Sequence, residues 1–236
     1  MINLLKIFHE KSQSNLVTAN SLLLGIVFVL LVLVAFFPAG IQDTLNKILI
    51  TATFFCSIYA LAYRSRVLLP IAILMTLLQW TAKIIGNDIL ELVAGSVNMI
   101  FFIYIVVKLV RQFASAKTVS PLVILGSVNG YLLLGLVFSL FTILVSSLYP
   151  QSYFSFHENI YLTDKVDFHT YIYYTFITMA TVGYGDLVPI SSPARALAVF
   201  VSVCGQLYIA IVIAFLVGKF AGAYVKVNKR TGGQTD

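Results

Sequence analysis

The sequence is poor in charge, since only 10% of its 236 residues are charged and 60% are hydrophobic. A soluble globular domain carries about a quarter charged residues. The composition therefore excludes an ordinary soluble protein and indicates an integral membrane protein. The formal net charge is +6, but the basic residues stand beside apolar runs rather than on one face or in one tail. We therefore expect them to set membrane topology and not to bind nucleic acid.

Cysteine is scarce as well. Cys56 and Cys204 are the only two, and both fall within apolar runs. Two such residues give neither a disulfide framework nor metal-ligand spacing, so we expect both to serve in packing. The sequence also lacks the paired intramembrane carboxylates or Ser-His pair of an intramembrane enzyme, and we predict no enzymatic activity and no cofactor.

Six apolar runs are long enough to cross a hydrocarbon core of about 30 Å as helices of about 20 residues. They cover Ala19–Phe37, Leu45–Tyr63, Val67–Ile85, Ile89–Val110, Leu122–Tyr149 and Pro193–Val225. Ser192 is the predicted N-cap of the sixth, with Pro193 at the first helical position. Between the last two runs, residues 150–189 are too mixed to cross and must re-enter from the side they left. Re-entrant backbone is tolerated only when it is buried in protein or lines water, which marks this segment as functional.

Lysine and arginine are distributed unevenly about these spans. Of the 15 basic residues, 11 fall on one side of the membrane, and seven of the nine acidic residues fall on the other. The positive-inside rule makes the basic side cytoplasmic. We therefore expect a plasma membrane (cell inner membrane) protein with both termini in the cytoplasm and the re-entrant segment outside.

These patterns predict an all-α membrane protein with five parts. A cytoplasmic N-terminus (1–18) leads into a peripheral four-helix domain (19–110). An interfacial linker (111–120) leads to a pore domain (121–225) and a short cytoplasmic tail (226–236). About ten polar residues are too few to fold into a domain, so we expect no appended ligand-binding domain.

The re-entrant segment contains one hexapeptide, which we call the filter segment: Thr181, Val182, Gly183, Tyr184, Gly185 and Asp186. Backbone carbonyls of four extended strands can replace the water shell of a cation if they all point at one axis. This conformation needs alternating backbone handedness, which glycine tolerates. The apolar stretch 171–180 before it is long enough for a short pore helix whose C-terminal dipole favours a cation. The motif occurs once, so four chains must close a ring.

The filter segment, with Thr178 and Met179 before it, resembles the pore region of the potassium channel superfamily over about Asp167–Gly222. The resemblance implies a homotetramer that conducts K⁺ passively across the lipid bilayer, with six spans per subunit as in voltage-gated and prokaryotic channels. It further implies that the potassium ligands are the Thr181 hydroxyl and the carbonyls of Thr181, Val182, Gly183 and Tyr184. Val182 and Tyr184 are then expected to pack behind the strand, and Asp186 to attract cations.

The pore helix departs from its relatives in its aromatic residues. Tyr173 and Tyr174 stand where many relatives carry two aromatics, commonly tryptophans. The resemblance implies that Tyr173 braces Asp186 by a hydrogen bond and that Tyr174 and Thr178 support the filter. Filter inactivation in many relatives depends on this brace, so the inactivation behaviour stays open. Ile177 stands where some relatives place a buried glutamate, so that carboxylate support of the filter is absent.

The sixth span contains Gly205, at a position that relatives use as a gating hinge. Close packing against the pore helix explains a glycine there equally well. The family alignment turns Gln206, Ile209, Ile213 and Val217 toward a central cavity. A hydrogen bond to a neighbouring helix is the alternative for Gln206.

The fourth span lacks arginine, although six spans resemble a voltage-gated layout. A voltage sensor needs basic residues at every third position, and moving each charge through the membrane field contributes about 2.3 kcal/mol per 100 mV. Lys108 is the span's only basic residue and stands at its end, so we predict weak or no intrinsic voltage dependence. Asn98, near the middle of that span, predicts an interhelical hydrogen bond.

Two other functions compete with a channel. Potassium transporters place four imperfect, single-glycine filter repeats in one chain, whereas this chain has one complete repeat. A non-conducting regulatory subunit would not need an intact filter segment. The gating stimulus and the place of the gate are not specified by the sequence.

Overall fold

The computed structural model describes residues 2–61, 65–86, 88–116, 119–156, 160–161 and 168–231. Within these ranges the chain forms seven α-helices: α1 Ile2–Phe28, α2 Ala39–Ala60, α3 Ser65–Ile85, α4 Asp88–Ala114, α5 Pro121–Leu148, α6 Phe168–Met179 and α7 Ser192–Thr231. The described part of the loop between α5 and α7 adds three short strands: β1 Tyr153–Ser155, β2 Ile160–Tyr161 and β3 Leu187–Pro189.

Four helical stretches of the described chain are long and apolar enough to cross a membrane. They are Ser14–Phe36, Val93–Ala114, Pro121–Leu148 and Ser192–Ala221. Two further apolar helices, Thr44–Ala60 and Val67–Ala82, are shorter. The prediction of a helical membrane protein is therefore confirmed, with four candidate spans. The count of six spans stays a prediction.

The first span changes its winding near its end. α1 runs from Ile2, so most of the N-terminal stretch expected before the first span is helical. It passes into a π-helical turn at Val29–Leu33 and a 3₁₀ turn at Val34–Phe36. The amide of Gln42 donates to the Phe37 carbonyl at 2.6 Å and to the Ala35 carbonyl at 3.3 Å. These bonds satisfy carbonyls that the end of a helix leaves without intrahelical partners.

α5 is the central helix of the subunit, because α1, α4, α6 and α7 all pack against it. Three of its glycines each receive an aromatic ring from a different helix. Gly126 faces Phe113 of α4, Gly130 faces Tyr208 of α7, and Gly135 faces Phe176 of α6. An added Cβ would overlap the ring at Gly126 and Gly135 and the Tyr208 hydroxyl at Gly130, so the three contacts fix α5 against its neighbours.

Two polar contacts join helices of the subunit, one between α1 and α5 and one between α3 and α4. The fully buried Asn129 amide of α5 donates to the Asn20 carbonyl of α1 at 2.8 Å and to the Asn20 side-chain oxygen at 3.3 Å. Asn98 of α4 donates to the Gln79 side-chain oxygen of α3, which confirms the predicted interhelical bond. Such bonds are worth about 0.6 to 2 kcal/mol in membranes.

The start of α7 differs from the prediction by one residue. Ser191 is the N-cap, since its hydroxyl accepts from the Ala194 N–H at 3.3 Å and its carbonyl accepts from the Arg195 N–H at 3.0 Å. The prediction that Ser192 caps the helix was therefore wrong, and Pro193 takes the second helical position. Either serine fits the capping preference, and the geometry of the loop from β3 selects the first.

Candidate ion-conduction site

Pairs of buried hydroxyl groups attach the pore helix α6 to α5. Thr142 and Thr175 share a hydrogen bond of 3.1 Å, and Ser146 and Tyr171 share one of 2.7 Å. All four side chains are buried. Unpaired hydroxyls are costly in an apolar interior, so these pairs set the position of α6 along α5.

A tyrosine cluster completes the support of α6. Tyr153 of β1 is fully buried and meets Tyr171 and Tyr174 edge to face, with ring centroids 6.3 and 5.2 Å apart. Burial raises the pKa of the Tyr153 phenol well above its ordinary value. The cluster places Tyr174 inside the subunit, in a packing role.

The backbone of the filter segment alternates in handedness. Thr181, Gly183 and Gly185 have φ values of 59°, 52° and 80°, whereas Val182 and Tyr184 between them do not have positive φ. A positive φ is uncommon for any residue but glycine, so Thr181 is held there by its surroundings. Residues of alternating handedness point successive carbonyl oxygens toward one side of the strand. This is the backbone that the sequence predicted at the two glycines.

The inner half of the filter segment is attached to the end of α6. The Ile177 carbonyl accepts from the N–H of Val182 at 2.8 Å and of Gly183 at 3.3 Å. The Thr178 carbonyl accepts from the N–H of Thr181 at 3.0 Å. The side of the strand that carries these N–H groups is therefore bound to the end of α6.

The outer end of the filter segment is held through Asp186. The Tyr173 hydroxyl donates to Asp186 Oδ2 at 2.6 Å, and the Leu187 N–H donates to Oδ1 at 3.1 Å. The expected contact between Tyr173 and Asp186 is therefore present. The hydrogen bond to Asp186, together with partial burial, raises the pKa of Tyr173 to about 12. The Asp186 carbonyl accepts from the Phe156 N–H at 2.9 Å, where β3 pairs with β1.

Val182 and Tyr184 do not pack behind the strand within their own subunit. Their side chains are 51% and 73% exposed in the isolated chain. The expectation that they are covered is therefore not met by this subunit alone.

Two side chains of α7 bind the last carbonyls of the pore helix. Gln206 Nε2 donates to the Met179 carbonyl at 3.5 Å, and the Ser202 hydroxyl donates to the Thr178 carbonyl at 3.3 Å. The Gln206 bond is the alternative that the sequence left open. Ser202 was missed, although it lies one helical turn before Gln206 and so shares its face.

Gly205 packs closely against the end of α6. A Cβ added to this buried glycine would lie 2.5 Å from both the Met179 carbonyl oxygen and its Cγ. Close packing therefore accounts for the glycine, and α7 continues as a helix through it. A hinge at Gly205 stays a prediction.

The rest of the predicted cavity lining lies along α7 at a spacing of four residues. Ile213 and Val217 are 56% and 61% exposed in the isolated chain, and Ile209 is half-buried. These side chains form an apolar stripe, and its Ile213 and Val217 side chains are more than half exposed in the isolated chain. Their orientation toward a central cavity is untested.

Tyr208 makes a contact with α5 that the sequence did not indicate. Its hydroxyl donates to the Ser127 carbonyl of α5 at 2.8 Å, and its ring lies against Tyr131 with centroids 5.9 Å apart. An aromatic residue in an apolar run carries no local signal for such a bond, since only the tertiary structure brings the carbonyl within reach.

Comparison with known proteins agrees with the location of this site. Residues 131–221 match the model of a family described as "Ion channel". The match starts within α5, contains α6 and the filter segment, and ends within α7, so it covers less than half of the chain. It indicates an ion channel domain in a membrane protein with apolar helices. Searches of curated proteins and of solved structures found no match.

Proposed function

We propose that the chain is one subunit of a homotetrameric channel that conducts K⁺ selectively and passively. The observation that carries this proposal is the alternating backbone from Thr181 to Gly185, directly after a pore helix. Four such strands around one axis would present rings of carbonyl oxygens in place of the water shell of the ion. Thr181, Val182, Gly183 and Tyr184 would supply the carbonyls, and Thr181 its hydroxyl.

The electrostatics of α6 favour a cation at the same place. The negative end of a helix dipole lies at its C-terminus, and α6 ends at Met179, two residues before Thr181. Asp186 adds negative charge at the other end of the filter segment. No catalysis is needed for this function, since the ion moves down its gradient.

Exposed apolar residues around the filter segment support assembly into a tetramer. Val182, Tyr184, Val199, Phe200, Val203 and Leu207 are all at least half exposed in the isolated chain. Exposed apolar patches of this kind mark interaction surfaces. Neighbouring subunits would cover these exposed faces of the filter and of α7.

The channel is further proposed to lack intrinsic voltage gating, with six spans and both termini in the cytoplasm. α4 contains no arginine before Arg111 in its last turn. The Lys108 amino group lies 5.5 Å from the Tyr104 ring centroid, which suits an anchor at the helix end rather than a mobile gating charge. A steep conductance–voltage curve with several gating charges per channel would contradict this.

Flux from proteoliposomes tests the proposal. Rubidium uptake driven by a potassium gradient, blocked by barium, is the expected result, and equal permeability to sodium would refute selectivity. Gly183→Ala should abolish flux in a folded tetramer, because a Cβ is strained at its φ of 52°. Gly95→Ala is the matched control, since an added Cβ meets nothing within 4 Å in α4 and should leave flux intact.

A further inference from the structure

A cavity of about 380 Å³ lies between the end of the first span and the pore helix. Leu31 and Ala35 line it on one side. The other side is one face of α6, where lining residues recur at helical spacing from His169 to Ile177. The volume falls within the range of about 300–1,000 Å³ that is typical of small-molecule sites.

The lining is almost entirely hydrocarbon. His169 and Tyr173 are the only lining residues with polar side-chain atoms, and no lining residue is an acid, a lysine or an arginine. The Tyr173 hydroxyl is already bound to Asp186. A site of this chemistry suits a hydrocarbon chain and offers little to an ion, a sugar or a nucleotide.

The wall formed by α1 is the place where that helix departs from regular winding. Leu31 lies inside the π-helical turn Val29–Leu33, and Ala35 lies inside the 3₁₀ turn that follows. Single π-helical turns within α-helices are frequent at functional sites. The irregular winding and the cavity are separate observations, and they coincide at these residues.

The opposite wall carries the residues that hold the filter segment. Tyr173 binds Asp186 at the outer end, and Ile177 binds the N–H groups of Val182 and Gly183 at the inner end. Phe176 between them is fixed against Gly135 of α5. A molecule in the cavity therefore contacts both supports of the filter at once.

We propose that this cavity binds an acyl chain of a membrane lipid, and that the bound chain stabilises the conducting filter through Tyr173 and Ile177. The effect on the filter rests on the proposed channel function, whereas the binding of the acyl chain does not. Leu31 precedes the end of the span at Phe36 by about 7.5 Å at 1.5 Å per residue, so it lies at the depth of hydrocarbon. Apolar cavities do not hold water, and acyl chains are the medium at this depth.

Photolabelling tests the binding site directly. The full-length protein is reconstituted in phosphatidylcholine vesicles that contain a small fraction of phosphatidylcholine with a diazirine on one acyl chain. After irradiation, peptide mapping is expected to find label on the α1 peptide around Leu31 and Ala35 and on the α6 peptide. Ala35→Phe fills the cavity and should reduce the α6 label several-fold.

Val32→Phe is the matched control, because Val32 lies on the same turn but is not part of the cavity lining. It should leave the α6 label unchanged. If Ala35→Phe fails to fold, Leu31→Phe replaces it. Label that is absent from α6 and confined to exposed residues elsewhere, such as Ile84 of α3, overturns the proposal. So does a disulfide between two subunits in an Ala35→Cys, His169→Cys double variant, since the neighbour's α6 would then occupy the space.

Flux in the same vesicles tests the effect on the filter. Ala35→Phe should change the rate of rubidium uptake, or its decline with time, relative to Val32→Phe at equal protein. If Ala35→Phe abolishes the labelling but leaves the flux unchanged, the proposed effect on the filter is wrong. Absence of flux from every sample, with labelling intact, counts against the proposed function and leaves the binding site standing.

Discussion

The Tyr173 hydroxyl lies 2.6 Å from the carboxylate of Asp186 and donates a hydrogen bond to it. This bond joins the pore helix to the outer end of the filter segment. A second attachment, from the Ile177 carbonyl to Val182 and Gly183, holds the inner end. The filter strand is therefore tied at both ends to α6, and the two ties can be broken separately.

Tyr173→Phe removes the outer tie and keeps the ring. Under the proposed function, we expect the variant to fold, but its current in planar bilayers should decline faster during sustained recording, because Asp186 loses the Tyr173 hydroxyl as a donor. Tyr59→Phe is the control, since Tyr59 is exposed on α2 far along the chain from the filter segment. An unchanged time course in Tyr173→Phe would show that the brace does not stabilise the conducting state.

The pH dependence of this brace follows from the raised pKa of Tyr173, about 12 against an ordinary value of 10.0. A raised pKa means that the protonated, donating form is favoured. The bond is therefore fully present below pH 10 and is lost as the pH rises through about 12. Between pH 7 and 9.5, the flux should therefore show no pH-dependent change that depends on the Tyr173 hydroxyl. A change in this range that Tyr173→Phe abolishes would contradict the raised pKa of Tyr173.

Gly205→Ala separates packing from hinge motion in α7. The new Cβ would meet the Met179 carbonyl at 2.5 Å, so we expect a lower thermal unfolding temperature in detergent and weaker flux. Gly218→Ala on the same helix has nothing within 4 Å of its Cβ and should be neutral or stabilising, since alanine is favoured over glycine in helices by about 1 kcal/mol. A Gly205→Ala protein with unchanged stability but altered gating would favour the hinge instead.

The hydroxyl pair between α5 and α6 predicts non-additive mutations. The Thr142 hydroxyl also donates to the Phe138 carbonyl at 3.0 Å, so Thr142→Val is the more costly single change. It leaves the buried Thr175 hydroxyl without its 3.1 Å partner, and an unsatisfied buried group costs about 1–3 kcal/mol. Thr142→Val with Thr175→Val replaces both groups by apolar atoms of similar shape. The double variant should therefore unfold at a higher temperature than the less stable single variant, measured by thermal unfolding of all four proteins. Additive losses would show that the pair does not act as a unit.

Local patterns in the sequence were sufficient to predict the helices and the backbone conformation of the filter segment. Apolar length placed the spans that the structure shows, and Gly183 and Gly185 indicated where the backbone takes positive φ. The spacing of Tyr173 and Asp186 indicated their contact through the family resemblance. These features depend on residue types at short separations.

Features that depend on tertiary packing were not predictable. The Tyr208 bond to Ser127 joins residues 81 positions apart, and the Asn20 and Asn129 pair is separated by 109. The cavity depends on where α1 comes to lie against α6, which no run of apolar residues specifies. Val182 and Tyr184 were expected to be covered, and a single subunit leaves them exposed.

The glycine contacts of α5 bear on how this protein can be recombined with others. Phe113, which belongs to the last peripheral helix, inserts against Gly126 of the helix that begins the pore region. A chimera that joins residues 121–231 to a foreign four-helix domain would leave the space above Gly126 empty, unless the donor's last helix places an aromatic ring at the position of Phe113. Successful grafts should therefore need residues 101–116 carried over with the pore, or an aromatic engineered into the donor helix.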